Sequence, residues 1–198
     1  MTETVVIAET VKGTVHPSTA ELISAAQSLG SQPVVVVPCT DASAAEIAAG
    51  FVGSARVVAA KSSVFEHYDA AGWAAAIDAV APAGILVASA TPQSKDLAAR
   101  IAARRGISVV QDVTQIEGGN LTSPIYSGKA MQTVSLSGDA VVTIRPNVFE
   151  AAPTGGNSDV SIVDTTGNMA TAVQEFMARA SSRLDVAEAN IIVSGGRG

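Results

Sequence analysis

The sequence predicts a three-layer α/β/α domain in which antiparallel hairpins are added to a mainly parallel sheet. Short apolar runs alternate with helical patterns through the first half of the chain. These runs are continuously apolar rather than alternating, which marks strands covered on both faces and hence a parallel sheet between helix layers. After Asp112 the helical patterns stop while strand-like runs continue, separated by turn signals.

The elements follow in order. Val5 to Ala8 reads as a buried strand, and Pro17 and Ser18 open a helix through Leu22, Ile23, Ala26 and Leu29 that closes at Gly30. Pro33 to Val37 is the second strand, and Asp41 caps a helix through Ile47, Ala48 and Phe51. Arg56 to Ala60 is the third strand. Asp69 caps a helix with Trp73, Ile77 and Val80, which Pro82 ends. Ile85 to Ala88 is the fourth strand, Ser94 opens a helix with Leu97, Ile101 and Ala102, and Val109 and Val110 begin the next strand. Val113 to Ile116, Leu121 to Tyr126, Ala130 to Leu136 and Ala140 to Ile144 then read as antiparallel strands, with turns at Gly118-Gly119-Asn120 and Ser137-Gly138-Asp139. Pro153 to Ser158 is a polar loop and Val160 to Val163 a short strand. Ile191-Ile192-Val193 is a strand entering a glycine-rich turn. Met169 to Ala180 has apolar residues at helical spacing.

Composition narrows the function. The 198 residues are 47% hydrophobic, mostly Ala and Val, enough for a real core without staples. A net charge of −6 repels phosphate backbones, so nucleic acid is excluded as a partner. Arg100, Arg104 and Arg105 precede Gly106 and read as the cationic end of a helix. Cys39 is the only cysteine, so no internal disulfide forms. No secretory leader is visible after Met1, and no apolar run reaches the ~20 residues needed to cross a bilayer. The expectation is a soluble cytoplasmic protein.

Few residues offer chemistry. The loop from Glu9 to His16 carries one glycine, Gly13, and lacks the spacing that brings backbone to a pyrophosphate. Ser89 to Ser94 is a polar loop at a strand's carboxyl end, where open α/β sheets bind ligands; plain helix capping by Thr91 or Ser94 is the commoner reading of such a loop. His16 and His67 read as surface histidines. Lys129 and Arg145 sit in polar breaks beside strands, where they could meet an anionic partner or simply charge a strand edge. The C-terminal strand and Ser194-Gly195-Gly196-Arg197-Gly198 have the form of a phosphate-cradling turn whose helix has not yet begun; a frayed glycine-rich tail has the same composition. Ser194-Gly195-Gly196 also fits the opening of an ATP-pyrophosphatase loop, but Gly198 stands where that loop needs an acid.

Together these residues resemble the electron transfer flavoprotein alpha subunits nearly end to end. The resemblance rests on Ala8-Glu9, on Pro17, Thr19, Glu21, Leu22, Ala25, Ala26 and Leu29, and on Ser94-Lys95-Asp96-Leu97-Ala98 followed by Asp112-Val113. Ser94 stands where the family more often has glycine. Tyr126-Ser127-Gly128-Lys129-Ala130, Arg145-Pro146-Asn147-Val148-Phe149 and the Ser194 to Gly198 loop complete it. The resemblance implies a fold like that of adenine nucleotide alpha hydrolases. It implies residues 1–182 as an N-terminal domain and 183–198 as the linker, first strand and loop of a further FAD-binding domain. It also implies FAD in the full-length protein but not on these residues alone, with Ser194, Gly195, Gly196, Arg197 and Gly198 as the cofactor contacts present. It implies a beta subunit as partner, acyl-CoA and other dehydrogenases as donors, a quinone reductase as acceptor, and an electron carrier rather than an enzyme. An extended segment is then expected at 169–180, against its helical period. The competing reading is a self-standing adenine-nucleotide-binding or ATP-hydrolysing domain, which would need a glycine-rich loop after the first or fourth strand.

Overall fold

The computed structural model describes residues 3–169, 189 and 191–196. The chain opens with β1 (Thr4–Ile7), a small hairpin of β2 (Thr10–Val11) and β3 (Thr14–Val15), and α1 (Ser18–Gln27). It continues through β4 (Val34–Cys39), α2 (Ser43–Ala49), β5 (Arg56–Lys61), a 3-10 turn over Ser63–Glu66, and α3 (Ala70–Asp78). Next come β6 (Ile85–Ser89), α4 (Pro92–Arg105) and β7 (Ser108–Val113). The remainder is strand: β8 (Gln115–Glu117), β9 (Asn120–Ile125), β10 (Ala130–Ser135), β11 (Ala140–Ile144) and β12 (Val160–Asp164).

Seven strands form one sheet in the order β12-β5-β4-β1-β6-β11-β7, and every pairing in it is parallel. The inner strands are apolar and buried on both faces. α1 and α2 cover one face, burying Leu22, Ile23, Ala45 and Ala48 with Val6, Val35, Val57 and Val142. α3 and α4 cover the other, burying Trp73, Ile77, Leu97 and Ile101 with Val5, Val36, Leu86 and Val141. The three layers expected from continuous apolar strands are therefore present.

Local chemistry sets the helix ends. Asp69 caps α3 by accepting from Gly72 N at 2.7 Å. Asp41 accepts from Ser43 N at 2.9 Å, one residue ahead of the α2 N-cap, Ala42. Thr91 rather than Ser94 caps α4, with Pro92 in its first turn. Gly106, at φ 65°, closes α4 in the left-handed conformation that glycine adopts without a Cβ penalty. Gly84, just before β6, has φ 139°, and a Cβ there would lie 2.0 Å from Glu3 O.

Three readings need correction. Ala140 to Ile144 is not a hairpin strand: β11 lies inside the parallel sheet, between β6 and β7. Its residues are all buried, whereas a hairpin strand with a solvent face would alternate. The antiparallel strands instead form a separate sheet, β10-β9-β8. Ile191 to Val193 are exposed and form no strand, since no neighbouring strand among the described residues offers them a ladder. The helix read through Phe51 ends at Ala49, and Ile47 on it is 48% exposed. The reading of 169–180 falls outside the described residues apart from Met169, and so does the boundary drawn between residues 182 and 183.

Candidate functional site

In an open parallel sheet the ligand crevice lies at the carboxyl ends of strands where the order reverses. Here β1 is that point: the chain moves from it to β4 and β5 on one side, then returns to β6 on the other. Glu9 follows β1 and Thr91 follows β6. Thr91 Oγ1 donates to Glu9 Oε1 at 2.8 Å, and Ser18 Oγ lies 3.4 Å from Glu9 Oε2. Ser18 begins α1, and its hydroxyl is 2.8 Å from His16 Nδ1. One carboxylate thus joins the N-termini of α1 and α4, where the helix dipoles favour negative charge. The chain's own acid therefore lies between the carboxyl ends of β1 and β6. The polar loop Ser89 to Ser94 works as a helix cap, one of its two expected readings. His16, expected as a surface residue, belongs to this network; only its place in the loop after the first strand could have signalled that.

At this point, between the segment after β1, the end of β4 and Gln93 of α4, lies a cleft of about 610 Å³ lined also by Cys39, Phe65, Tyr68 and Trp73. Its floor is aromatic: Phe65 and Tyr68 meet Trp73 edge to face, with ring centroids 5.0 and 5.3 Å apart. Trp73 Nε1 donates to Val64 O and His67 O, each at 3.0 Å, so the ring is fixed. The cleft holds no activated nucleophile. Burial, with the Asp41 charge adding, pushes the Cys39 thiol up to about 11. Burial and then Asp96 push the Tyr68 phenol up as well. Among the described residues, no group of three or more His, Cys, Asp or Glu could hold a metal ion.

The hairpin sheet presents a second face. The turn from β9 to β10 holds Tyr126 and Ser127 at φ 51° and 56°, a strained pair for residues with side chains. Tyr126 is 78% exposed and Met131 57%. Arg145 is not an edge charge. Its Nε donates to Asp112 Oδ1 at 3.1 Å and its second arm to Asp112 Oδ2, a forked pair linking the ends of β11 and β7. The Arg145 hydrogen bond holds the Asp112 carboxyl below its ordinary range.

The C-terminal loop stands apart from all of this. Ser194, Gly195 and Gly196 are exposed, and a Cβ added at Gly195 or Gly196 would meet nothing within 4 Å. They make no cradle, so as described these residues do not by themselves fit a flavin. Arg197 and Gly198 lie outside the described residues. No helix of the described chain is long and apolar enough to cross a membrane.

The described residues thus define a parallel α/β domain whose switch point carries the Glu9 network, with an antiparallel sheet appended to it. The model of the electron transfer flavoprotein domain matches residues 4–187, and the chain belongs to that family. The electron transfer flavoprotein subunit alpha of Mycobacterium leprae is 32% identical over 210 residues, covering 100% of this chain and 65% of its own length. That of Paracoccus denitrificans is 33% identical, covering 91% and 60%. The protein FixB of Clostridium saccharobutylicum is 33% identical over 161 residues, covering 74% of this chain and 48% of its own. The chain thus spans about 65% of the length of the alpha subunits it matches most fully.

Proposed function

We propose that this chain serves as the alpha subunit of an electron transfer flavoprotein. In this reading it pairs with a beta subunit, and in full-length form it carries electrons on FAD from acyl-CoA and other dehydrogenases to a quinone reductase in the cytoplasm. Residues 1–182 are its N-terminal domain, and 183–198 lead into the domain that holds the flavin. Ser194, Gly195, Gly196, Arg197 and Gly198 would contribute contacts to the flavin once that domain is present. The protein carries electrons and transforms no substrate itself. The observation that carries the reading is the alignment with alpha subunits along the whole chain.

The hairpin sheet is the face we assign to the beta subunit, on the strength of Tyr126 and Met131 standing exposed on it. Expression of a form extended to the alpha subunits' usual length, together with the beta subunit, is expected to give a yellow complex. The 198-residue chain alone should purify colourless, because tight dinucleotide binding needs an enclosing pocket. Stoichiometric flavin on the chain alone would overturn the placement of the cofactor. In the extended complex, Arg197→Ala is expected to weaken flavin retention or shift its potential, since a guanidinium stabilises charge on the reduced ring. Unchanged association in Tyr126→Ala/Met131→Lys would remove the hairpin face from the interface.

A further inference from the structure

The cleft of about 610 Å³ at the switch point plays no part in the electron-carrier role. It lies between the segments that follow β1, β4 and β5, whereas the hairpin sheet assigned to the beta subunit follows β7, at the far edge of the parallel sheet. Small-molecule sites have volumes of about 300–1,000 Å³ and apolar walls with a few placed polar groups. This cleft has that form. Lys12 enters it from the β1 side and Glu66, the last residue of the 3-10 turn, from the β5 side. Cys39 lies between them at the end of β4, and Phe65, Tyr68 and Trp73 supply the floor.

Lys12 is held there against its backbone preference. The β2–β3 hairpin closes through two residues, Lys12 and Gly13, and both have positive φ, 51° and 78°. Such a turn favours Asn, Asp or Gly at its first central position, because a longer side chain crowds the left-handed region. The turn therefore gives no reason for a lysine, while the cleft does: the side chain lines its wall. Lys12 and Glu66 carry opposite charges, and neither has an ion pair within 4.0 Å among the described residues. One cleft thus presents an unpaired cation, an unpaired carboxylate and an apolar floor.

We propose that this cleft binds a free α-amino acid with a large apolar side chain. The ligand's carboxylate meets Lys12, its ammonium meets Glu66, and its side chain lies on the aromatic floor. The two charges decide the class of ligand. An anion drawn to Lys12 brings its charge beside Glu66, and a cation drawn to Glu66 brings its charge beside Lys12; like charges so placed oppose binding. A zwitterion satisfies both walls at once. The site involves neither the flavin nor the beta subunit, so it stands apart from the electron-carrier reading.

The test uses the whole 198-residue chain, whose single tryptophan, Trp73, lines the cleft and reports its occupancy by fluorescence. L-phenylalanine is the probe. Phenylpropionate, which lacks the ammonium, and phenethylamine, which lacks the carboxylate, are the controls. L-phenylalanine is expected to change the emission saturably, and each control to bind about tenfold more weakly. Lys12→Asn should weaken L-phenylalanine about tenfold while raising the melting temperature, because asparagine suits the turn better. Glu66→Gln should weaken it to a similar extent. No saturable change with L-phenylalanine would overturn the proposal. A control that binds as tightly would make the cleft a simple anion or cation site and overturn it, as would an affinity unmoved by either substitution. A lower melting temperature for Lys12→Asn would show that the turn itself selects the lysine, and would count against the proposal in the same way.

Discussion

At the scale of single residues, the polar groups of this domain mostly hold its parts together. Glu9 ties α1 to α4 through Ser18 and Thr91. Glu9→Ala removes these bonds and is expected to cost about 1 kcal/mol, a drop in melting temperature of about 2–4 °C by calorimetry. Thr143 is fully buried, and its hydroxyl accepts from Asp112 N at 2.9 Å. Thr143→Val keeps the shape but leaves that N–H without a partner, and should cost about 1–3 kcal/mol in denaturant unfolding. Two titrations have opposite signs. Cys39 titrates near 11 in the folded chain against 9.0 ordinarily, so its contribution is complete below pH 9.0 and lost as pH rises toward 11. Its thiol should react with alkylating reagents far more slowly in the native than in the unfolded protein at pH 8. Asp112 titrates below its ordinary 3.8, so its contribution is complete above that value and lost as pH falls through the folded value. Arg145 is 43% exposed, so solvent screening keeps this pair to less than about 1 kcal/mol. The acid limb in Asp112→Asn should therefore shift only slightly.

At the scale of elements, the positions that tolerate least are those where backbones touch. Gly84→Ala would add a Cβ 2.0 Å from Glu3 O at φ 139°. The conformation alone should cost about 1–3 kcal/mol and the collision more, and a normal melting curve for this variant would contradict the close approach of β1 and β6. The strands and helices as far as β7 were legible because each carries its own local signal: a continuous apolar run, a cap such as Asp69, or a stop such as Gly106. The placement of β11 was not. Its sequence, Ala140-Val-Val-Thr-Ile144, is as continuously apolar as β4, a mark of a parallel interior strand. The turn residues before it made it look like one more hairpin strand. Strand order is fixed by contacts far apart in sequence, which local periodicity does not encode. The Glu9 network was hidden for the same reason, since Glu9 and Thr91 are 82 residues apart. The loop at Ser194 to Gly196 was legible as a motif only, because the strand and helix that would give it shape have no ladder or turn among the described residues.

At the scale of the whole molecule, the two sheets should differ in local stability. β1, β4, β6 and β11 are buried on both faces, whereas β10 is largely exposed. Native-state amide exchange should be slowest in the inner parallel strands and faster in β8 to β10 by orders of magnitude. Equal protection across both sheets would mean that the hairpin unit unfolds only with the core. The position of β11 also governs the order in which the domain can be finished during synthesis. β1, β4, β5 and β6 can close ranks as soon as residue 89 has left the ribosome, because all their mutual pairings lie within that stretch. β7 emerges next, but its only sheet neighbour is β11, whose residues come about thirty positions later. At about 5–20 residues per second, β7 waits for seconds with both edges bare, and β6 with one. A nascent chain stalled before Ala140 would therefore carry a finished half-sheet and a dangling strand, the state in which this domain is most exposed to aggregation and most in need of a chaperone.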